Sequence, residues 1–141
     1  MKNTGINEMA KEIHKNAVEH GWWDEPRTFG EIIALCHSEL SEALEEYRTG
    51  NHSIYYNCAQ NPAIIKPCTY EDCSQCELAF MYYGECNYKE SKPEGIPIEL
   101  ADCIIRILDY CGKEGIDIEE AIRLKHDYNK TRPYRHGGKK C

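Results

Sequence analysis

Apolar and polar positions follow the period of an α-helix in four stretches of this chain. The first covers about residues 6–20, where apolar side chains recur every three or four positions and Gly21 follows as a stop. These side chains are Ile6, Met9, Ala10, Ile13 and Ala17. The pattern predicts an amphipathic helix with one face on a core.

The second stretch begins at Thr28, which forms a capping-box pattern with Glu31, and it ends at Gly50. Its apolar stripe stays on one face for about five turns. The stripe consists of Phe29, Ile32, Ile33, Cys36, Leu40, Ala43, Leu44 and Tyr47. This pattern predicts a long second helix that is also amphipathic.

The third stretch runs from about Ile98 to Cys111, with Pro97 suited to a first helical turn and the segment GKEG as its end. Apolar side chains cover most of its circumference. Four charged residues form one narrow strip: Glu99, Asp102, Arg106 and Asp109. A helix that is apolar nearly all round is buried or sandwiched, so these charges face either water or a partner.

A fourth helix is predicted from the capping pattern of Asp117 and Glu120 to about Lys130, and an extended tail follows it. Residues 51–92 have no sustained helical period and carry five of the nine cysteines and six of the ten tyrosines. We interpret 51–92 as an irregular insertion between the second and third helices. The chain is thus predicted to be one all-α domain, a four-helix bundle over residues 1–141 with a Cys/Tyr-rich insertion.

The net charge of −7 disfavours a protein that binds nucleic acid without sequence specificity, because such binding needs a basic surface. An acidic chain is instead suited to holding cations. No apolar run resembles a signal peptide or is long enough to span a membrane. We therefore expect a cytoplasmic protein without membrane association, with its thiols reduced.

The segment HSELSEALEEYR (37–48) concentrates four glutamates, and Glu39 and Glu42 lie beside the apolar stripe at i, i+3 spacing. Glu99 and Asp102 have the same spacing on the third helix. Each pair alone is also typical of a solvated acidic face. If the two helices pack together, four carboxylates converge and repel one another unless a cation lies among them. Oxygen ligands favour Mg²⁺, or Mn²⁺.

Other candidate substrate contacts lie on the fourth helix and before the second. The inward face predicted from Ile118, Ala121 and Ile122 continues into polar residues: Lys125, Asn129 and Arg132. These side chains either extend to solvent at a helix end or bind a polyphosphate beside the cation. Of Trp22 and Trp23, one indole is a candidate for stacking on a nucleobase, and either is equally suited to a core.

The insertion contains a Cys73-x-x-Cys76 pair with the spacing of a zinc knuckle, and Cys68 and Cys86 are further candidate ligands. A structural zinc ion would order a segment with no evident core of its own. The alternative is a set of reduced thiols packed among tyrosines.

The motifs ELSE (39–42), ELAD (99–102) and KHDYN (125–129) resemble those of the MazG-like, all-α nucleoside triphosphate pyrophosphohydrolases. The resemblance covers about residues 1–50 and 93–140; the family usually has its two acidic motifs much closer together. It implies a bundle that forms homodimers or homotetramers. It also implies Mg²⁺-dependent cleavage of nucleoside triphosphates between the α and β phosphates, giving a monophosphate and pyrophosphate.

By this resemblance the metal ligands are Glu39, Glu42, Glu99 and Asp102, and the phosphate contacts are Lys125 and Asn129. Either Glu42 or Glu46 is expected to orient the attacking water or accept its proton. The sequence leaves this choice open, together with the base and sugar of the substrate. A hypothesis of another class is a non-enzymatic, zinc-stabilised interaction module whose acidic helices are plain surface.

Overall fold

The computed structural model describes residues 5–56 and 92–134. Within them lie four helices, α1 (Ile6–Glu19), α2 (Phe29–Thr49), α3 (Ile96–Glu114) and α4 (Ile118–Lys130). The same residues contain one two-stranded ladder, formed by β1 (Tyr55–Tyr56) and β2 (Pro93–Glu94). The predicted all-α class is therefore confirmed. No described helix has both the length and the apolar character needed to cross a membrane.

The helix ends follow mostly from local hydrogen bonds. Glu31 N donates to Thr28 Oγ1 at 3.3 Å and Thr28 N donates to Glu31 Oε2 at 2.6 Å, which confirms the predicted capping box. Asp117 caps α4 by accepting from Glu120 N at 2.9 Å. A full capping box would also have Asp117 N donate to the Glu120 side chain. That part of the prediction is wrong, because the Glu120 carboxylate accepts from Arg123 on its own helix.

Helix α3 is longer than the sequence predicts and includes Gly112, the first residue of the segment GKEG that is predicted to end it. A Cβ at Gly112 would overlap the Ala10 carbonyl oxygen and lie 2.7 Å from His14 Cβ. The glycine therefore allows α1 to approach α3 closely. The helix is terminated instead near Gly115, whose φ of +65° suits a residue without a side chain.

The chain divides into two compact units. The first contains residues 5–32 and 105–134 of the described chain. Its buried core consists of Ala10, Leu108 and Cys111, and Met9, Ile13 and Ile118 pack against it. Of the inward face predicted for α4, Ile118 alone joins this core; Ala121 is exposed and Ile122 is 49% exposed. That part of the prediction is wrong because α4 presents a narrow contact face.

The second unit contains residues 33–56 and 92–104 of the described chain. Its buried row on α2 runs through Cys36, Glu39 and Ala43. Three apolar side chains of the predicted stripe are instead 47–61% exposed: Leu40, Leu44 and Tyr47. On α3 of this unit Glu99 and Cys103 are buried, whereas Leu100 and Ile104 are exposed. On both helices, therefore, a glutamate lies among the buried residues while several apolar side chains are exposed.

The β1–β2 ladder pairs a strand just after α2 with a strand just before α3. Its strands are antiparallel, with Tyr55 opposite Glu94 and Tyr56 opposite Pro93. Gly95 has a φ of +104°, and a Cβ there would overlap the Ser53 carbonyl oxygen. The prediction of an irregular segment from residue 51 onward missed this pairing. Residues 57–91, which hold the five cysteines of the predicted insertion, lie outside the described residues.

Candidate metal centre

Three carboxylates meet in the second unit. Glu39 and Glu42 project from α2, and Glu99 projects from the first turn of α3. One oxygen of each lies within 4.8 Å of the other two, and we refer to these three side chains as the carboxylate cluster. The i, i+3 spacing places Glu39 and Glu42 on neighbouring positions of the helix surface. The sequence had predicted this convergence for four residues, and the structure brings these three together.

Two of the three side chains in the carboxylate cluster are buried. Glu39 and Glu99 are 6% and 4% exposed, whereas Glu42 is exposed. Oxygen Oε2 of Glu99 is buried and has no hydrogen-bond partner among the described residues. A buried oxygen without a donor costs about 1–3 kcal/mol, and more when it is charged. A proton or a cation at this oxygen would offset that cost.

Burial raises the pKa of the Glu99 carboxyl. The negative charges of Glu42, Asp102 and Glu39 raise this pKa further, and the positive charge of Lys92 opposes them. A folded chain with an ionised Glu99 is thus destabilised by desolvation and by repulsion between like charges. A divalent cation among the three carboxylates would relieve both.

Asp102 stands apart from the cluster. It follows Glu99 by one helical turn and is half-buried, and its charge acts on Glu99. Its oxygens are not in the group that lies within 4.8 Å. Its role as the fourth ligand therefore stays a prediction.

The donor set of the cluster fits a hard cation. All three donors are carboxylate oxygens, the ligand type that Mg²⁺ and Mn²⁺ prefer. Bonds of 2.0–2.1 Å in an octahedron separate neighbouring oxygens by roughly 3 Å and opposite ones by roughly 4 Å. An upper limit of 4.8 Å between the three cluster oxygens is compatible with these distances.

Glu46, the other candidate for activating water, is not one of the three cluster residues, and its carboxylate is hydrogen-bonded to a tyrosine. The Tyr55 hydroxyl donates to its carboxylate, at 3.1 Å from Oε1 and 3.2 Å from Oε2. Sequence reasoning did not single out Tyr55 or Lys92. No local pattern marks them, because Tyr55 lies in a two-residue strand and Lys92 acts on a glutamate of the next helix.

The predicted phosphate contacts belong to the first unit. Lys125 and Asn129 are exposed on α4, and Arg132 is exposed just after it. The Lys125 ammonium lies 5.1 Å from the centre of the Tyr128 ring, one turn along the same helix. The roles of these residues toward a substrate stay predictions.

The two tryptophans differ in their surroundings. The Trp23 indole nitrogen donates to Asp109, at 3.0 Å from Oδ1, and its ring is half-buried. Trp22 is 48% exposed, and the guanidinium carbons of Arg27 and Arg106 lie 5.3 and 5.5 Å from its ring centre. Trp23 therefore has a packing role, and Trp22 is the one with an exposed ring.

The candidate zinc ligands Cys68, Cys73, Cys76 and Cys86 lie outside the described residues. Within the described residues, three cysteines are buried: Cys36, Cys103 and Cys111. Burial raises the pKa of the Cys111 thiol, as expected for a packing residue.

Comparison of the chain with protein-family models, with curated proteins and with solved structures found no match to any of them.

Proposed function

We propose that this protein is a Mg²⁺-dependent hydrolase that cleaves nucleoside triphosphates between the α and β phosphates. The observation that carries the proposal is the carboxylate cluster, with its buried and unpartnered Glu99 oxygen. Such an arrangement is costly for the fold alone and is useful once a cation binds. The paired acidic motifs and the resemblance to MazG-like enzymes supply the reaction.

In this proposal Glu39, Glu42, Glu99 and Asp102 hold the ion. When bound, Mg²⁺ screens the triphosphate charge and makes a water molecule more acidic. Either Glu42 or Glu46 orients the attacking water and accepts its proton. Lys125, Asn129 and Arg132 bind phosphate oxygens, and the exposed Trp22 ring stacks on the base. Positioning and charge stabilisation carry most of the rate.

The proposed architecture is a MazG-like four-helix bundle that assembles into homodimers or homotetramers. Support comes from half-exposed apolar side chains on the second unit, which a second copy would cover: Leu40, Leu44 and Ile104. Light scattering on the purified chain tests this, with a mass of two or four chains as the expected result. A monomer at micromolar concentration would contradict it.

Pyrophosphate release from a panel of ribo- and deoxyribonucleoside triphosphates tests the activity. We expect release in Mg²⁺, none after chelation, and recovery when Mg²⁺ or Mn²⁺ is restored. The ratios of kcat/KM across the panel identify the preferred base and sugar. A chain that binds Mg²⁺ but releases no pyrophosphate from any member would contradict the proposal.

The predicted insertion, residues 51–92, is proposed to be an accessory segment that holds a structural zinc ion through Cys68, Cys73, Cys76 and Cys86. The cytoplasmic location that we also propose would keep these thiols reduced. Elemental analysis of the purified protein is expected to give about one zinc per chain. Zinc without any hydrolysis would favour the non-enzymatic interaction module instead.

A further inference from the structure

Tyr55 starts the β1–β2 ladder and contacts a glutamate of α2. Its hydroxyl donates to both oxygens of Glu46, and Glu94 lies directly opposite it across the ladder. Burial raises the pKa of the Tyr55 phenol, and the hydrogen bonds and charges of Glu46 and Glu94 raise it further. The hydroxyl therefore keeps its proton and remains a donor to carboxylates.

Glu46 lies one helical turn beyond Glu42 on α2, and side chains four positions apart on a helix are neighbours. Glu42 contributes one of the oxygens of the carboxylate cluster. Glu46 contributes no oxygen to that cluster and instead accepts from the Tyr55 hydroxyl. Of the two candidate bases, Glu46 is therefore the one whose carboxylate is not committed to the ion.

We infer that Tyr55 is a positioning residue, whose hydroxyl fixes the Glu46 carboxylate where it accepts the proton of the attacking water. This inference rests on the proposed function. In that step the water oxygen bonds to phosphorus and the bridging oxygen leaves with the pyrophosphate. The proton of the water passes to Glu46, which releases it to solvent. Tyr55 acts only through Glu46.

A double-mutant cycle on the full chain tests the inference. Tyr55→Phe removes only the hydroxyl and is expected to lower kcat about tenfold with little change in KM. Glu46→Gln removes the base and is expected to lower kcat by about a hundredfold or more. The double variant is expected to be as slow as Glu46→Gln and no slower, since the hydroxyl then has no base to position.

Tyr47→Phe is the matched control, because it makes the same change next to Glu46 on a side chain that is 61% exposed. Its kcat is expected to equal that of the wild type. A double variant about tenfold slower than Glu46→Gln would show a separate, structural role for Tyr55 and overturn the inference. A wild-type rate in Glu46→Gln would also overturn it. Failure of the proposed function is distinguishable, because the wild type itself would then release no pyrophosphate.

Discussion

Asp109 and Glu99 are both carboxylates of the polar strip on α3, yet their surroundings are opposite. In the first unit, Asp109 Oδ1 lies 2.8 Å from His14 Nδ1 and accepts from Trp23 Nε1 at 3.0 Å. In the second unit, Glu99 is more deeply buried and its Oε2 has no partner among the described residues. A satisfied carboxylate joins parts of a fold, whereas an unsatisfied one among like charges is suited to binding a cation.

The largest expected effect is a loss of catalysis when a carboxylate near Glu99 in the second unit is changed. Glu39→Gln keeps the shape of the side chain but removes a charged ligand, so kcat is expected to fall by at least about a hundredfold. Asp102→Asn is expected to act in the same direction and tests the fourth ligand. The measurement is pyrophosphate release in Mg²⁺. Glu45→Gln, at an exposed residue that pairs with Arg48 on the same helix, serves as the control.

Turnover near the wild-type level in Glu39→Gln would mean that the cluster holds no catalytic ion. The contrast between Glu99 and Asp109 would then reflect packing alone.

The next largest effect is a loss of stability when Asp109, the carboxylate with hydrogen-bond partners, is changed. Asp109→Ala leaves His14 and Trp23 without their acceptor, so the free energy of unfolding is expected to fall by about 2–4 kcal/mol. Denaturant unfolding without Mg²⁺ measures it. Asp127→Ala, an exposed residue of α4, is expected to change stability by about 0.5 kcal/mol or less. Equal losses in both variants would contradict a structural role for Asp109.

A smaller effect of opposite sign is expected for Glu99→Gln. The substitution removes a buried charge that repels Glu39 and Glu42, so the free energy of unfolding without Mg²⁺ should rise by about 1 kcal/mol. Added Mg²⁺ should stabilise the wild type more than the variant, because a ligand stabilises the folded state that binds it. Thermal unfolding with and without Mg²⁺ measures both. A variant less stable than the wild type without the ion would show that the Glu99 charge is already compensated.

The smallest effect tests a satisfied carboxylate at the surface. The hydrogen bond from Asn7, followed by that from the Glu120 backbone, lowers the pKa of Asp117. Such a group stabilises the folded chain above its unfolded pKa, and this contribution is lost as pH falls through the folded pKa. The wild type is therefore expected to exceed Asp117→Asn in stability at neutral pH, with the gap closing in acid. Urea unfolding from neutral to acid pH measures this difference in stability. A difference independent of pH would contradict a stabilising role for the ionised Asp117.

Local rules predicted most of the helix ends, because the interactions that set them lie within a few residues. The Thr28–Glu31 capping box is a contact between residues three apart, and Gly50 ends α2 with a φ of +88°. Such local rules did not predict that Gly112 lies inside α3. A Cβ at this position would overlap the carbonyl oxygen of Ala10, which is far away in sequence.

The candidate site was predictable in its residue types and only partly in its geometry. Helical spacing brought the two acidic motifs to attention but placed Glu39 beside the apolar stripe, whereas the structure buries it in the row of Cys36. A helical wheel ranks faces by apolar content, and the buried face of α2 is decided by the residues packed against it. The contact between Tyr55 and Glu46 was missed because a two-residue strand has no readable period.

The β1–β2 ladder has a practical consequence for protein engineering. It holds Tyr56 opposite Pro93, so the chain leaves and re-enters the helical scaffold at neighbouring points. The entropic cost of lengthening a connection between such points is small, about 0.6 kcal/mol for each doubling of its length. A reporter domain whose termini lie close together is therefore well suited to replace residues 57–91. Beside a candidate ion site, such a fusion is a natural starting point for a genetically encoded sensor of divalent cations.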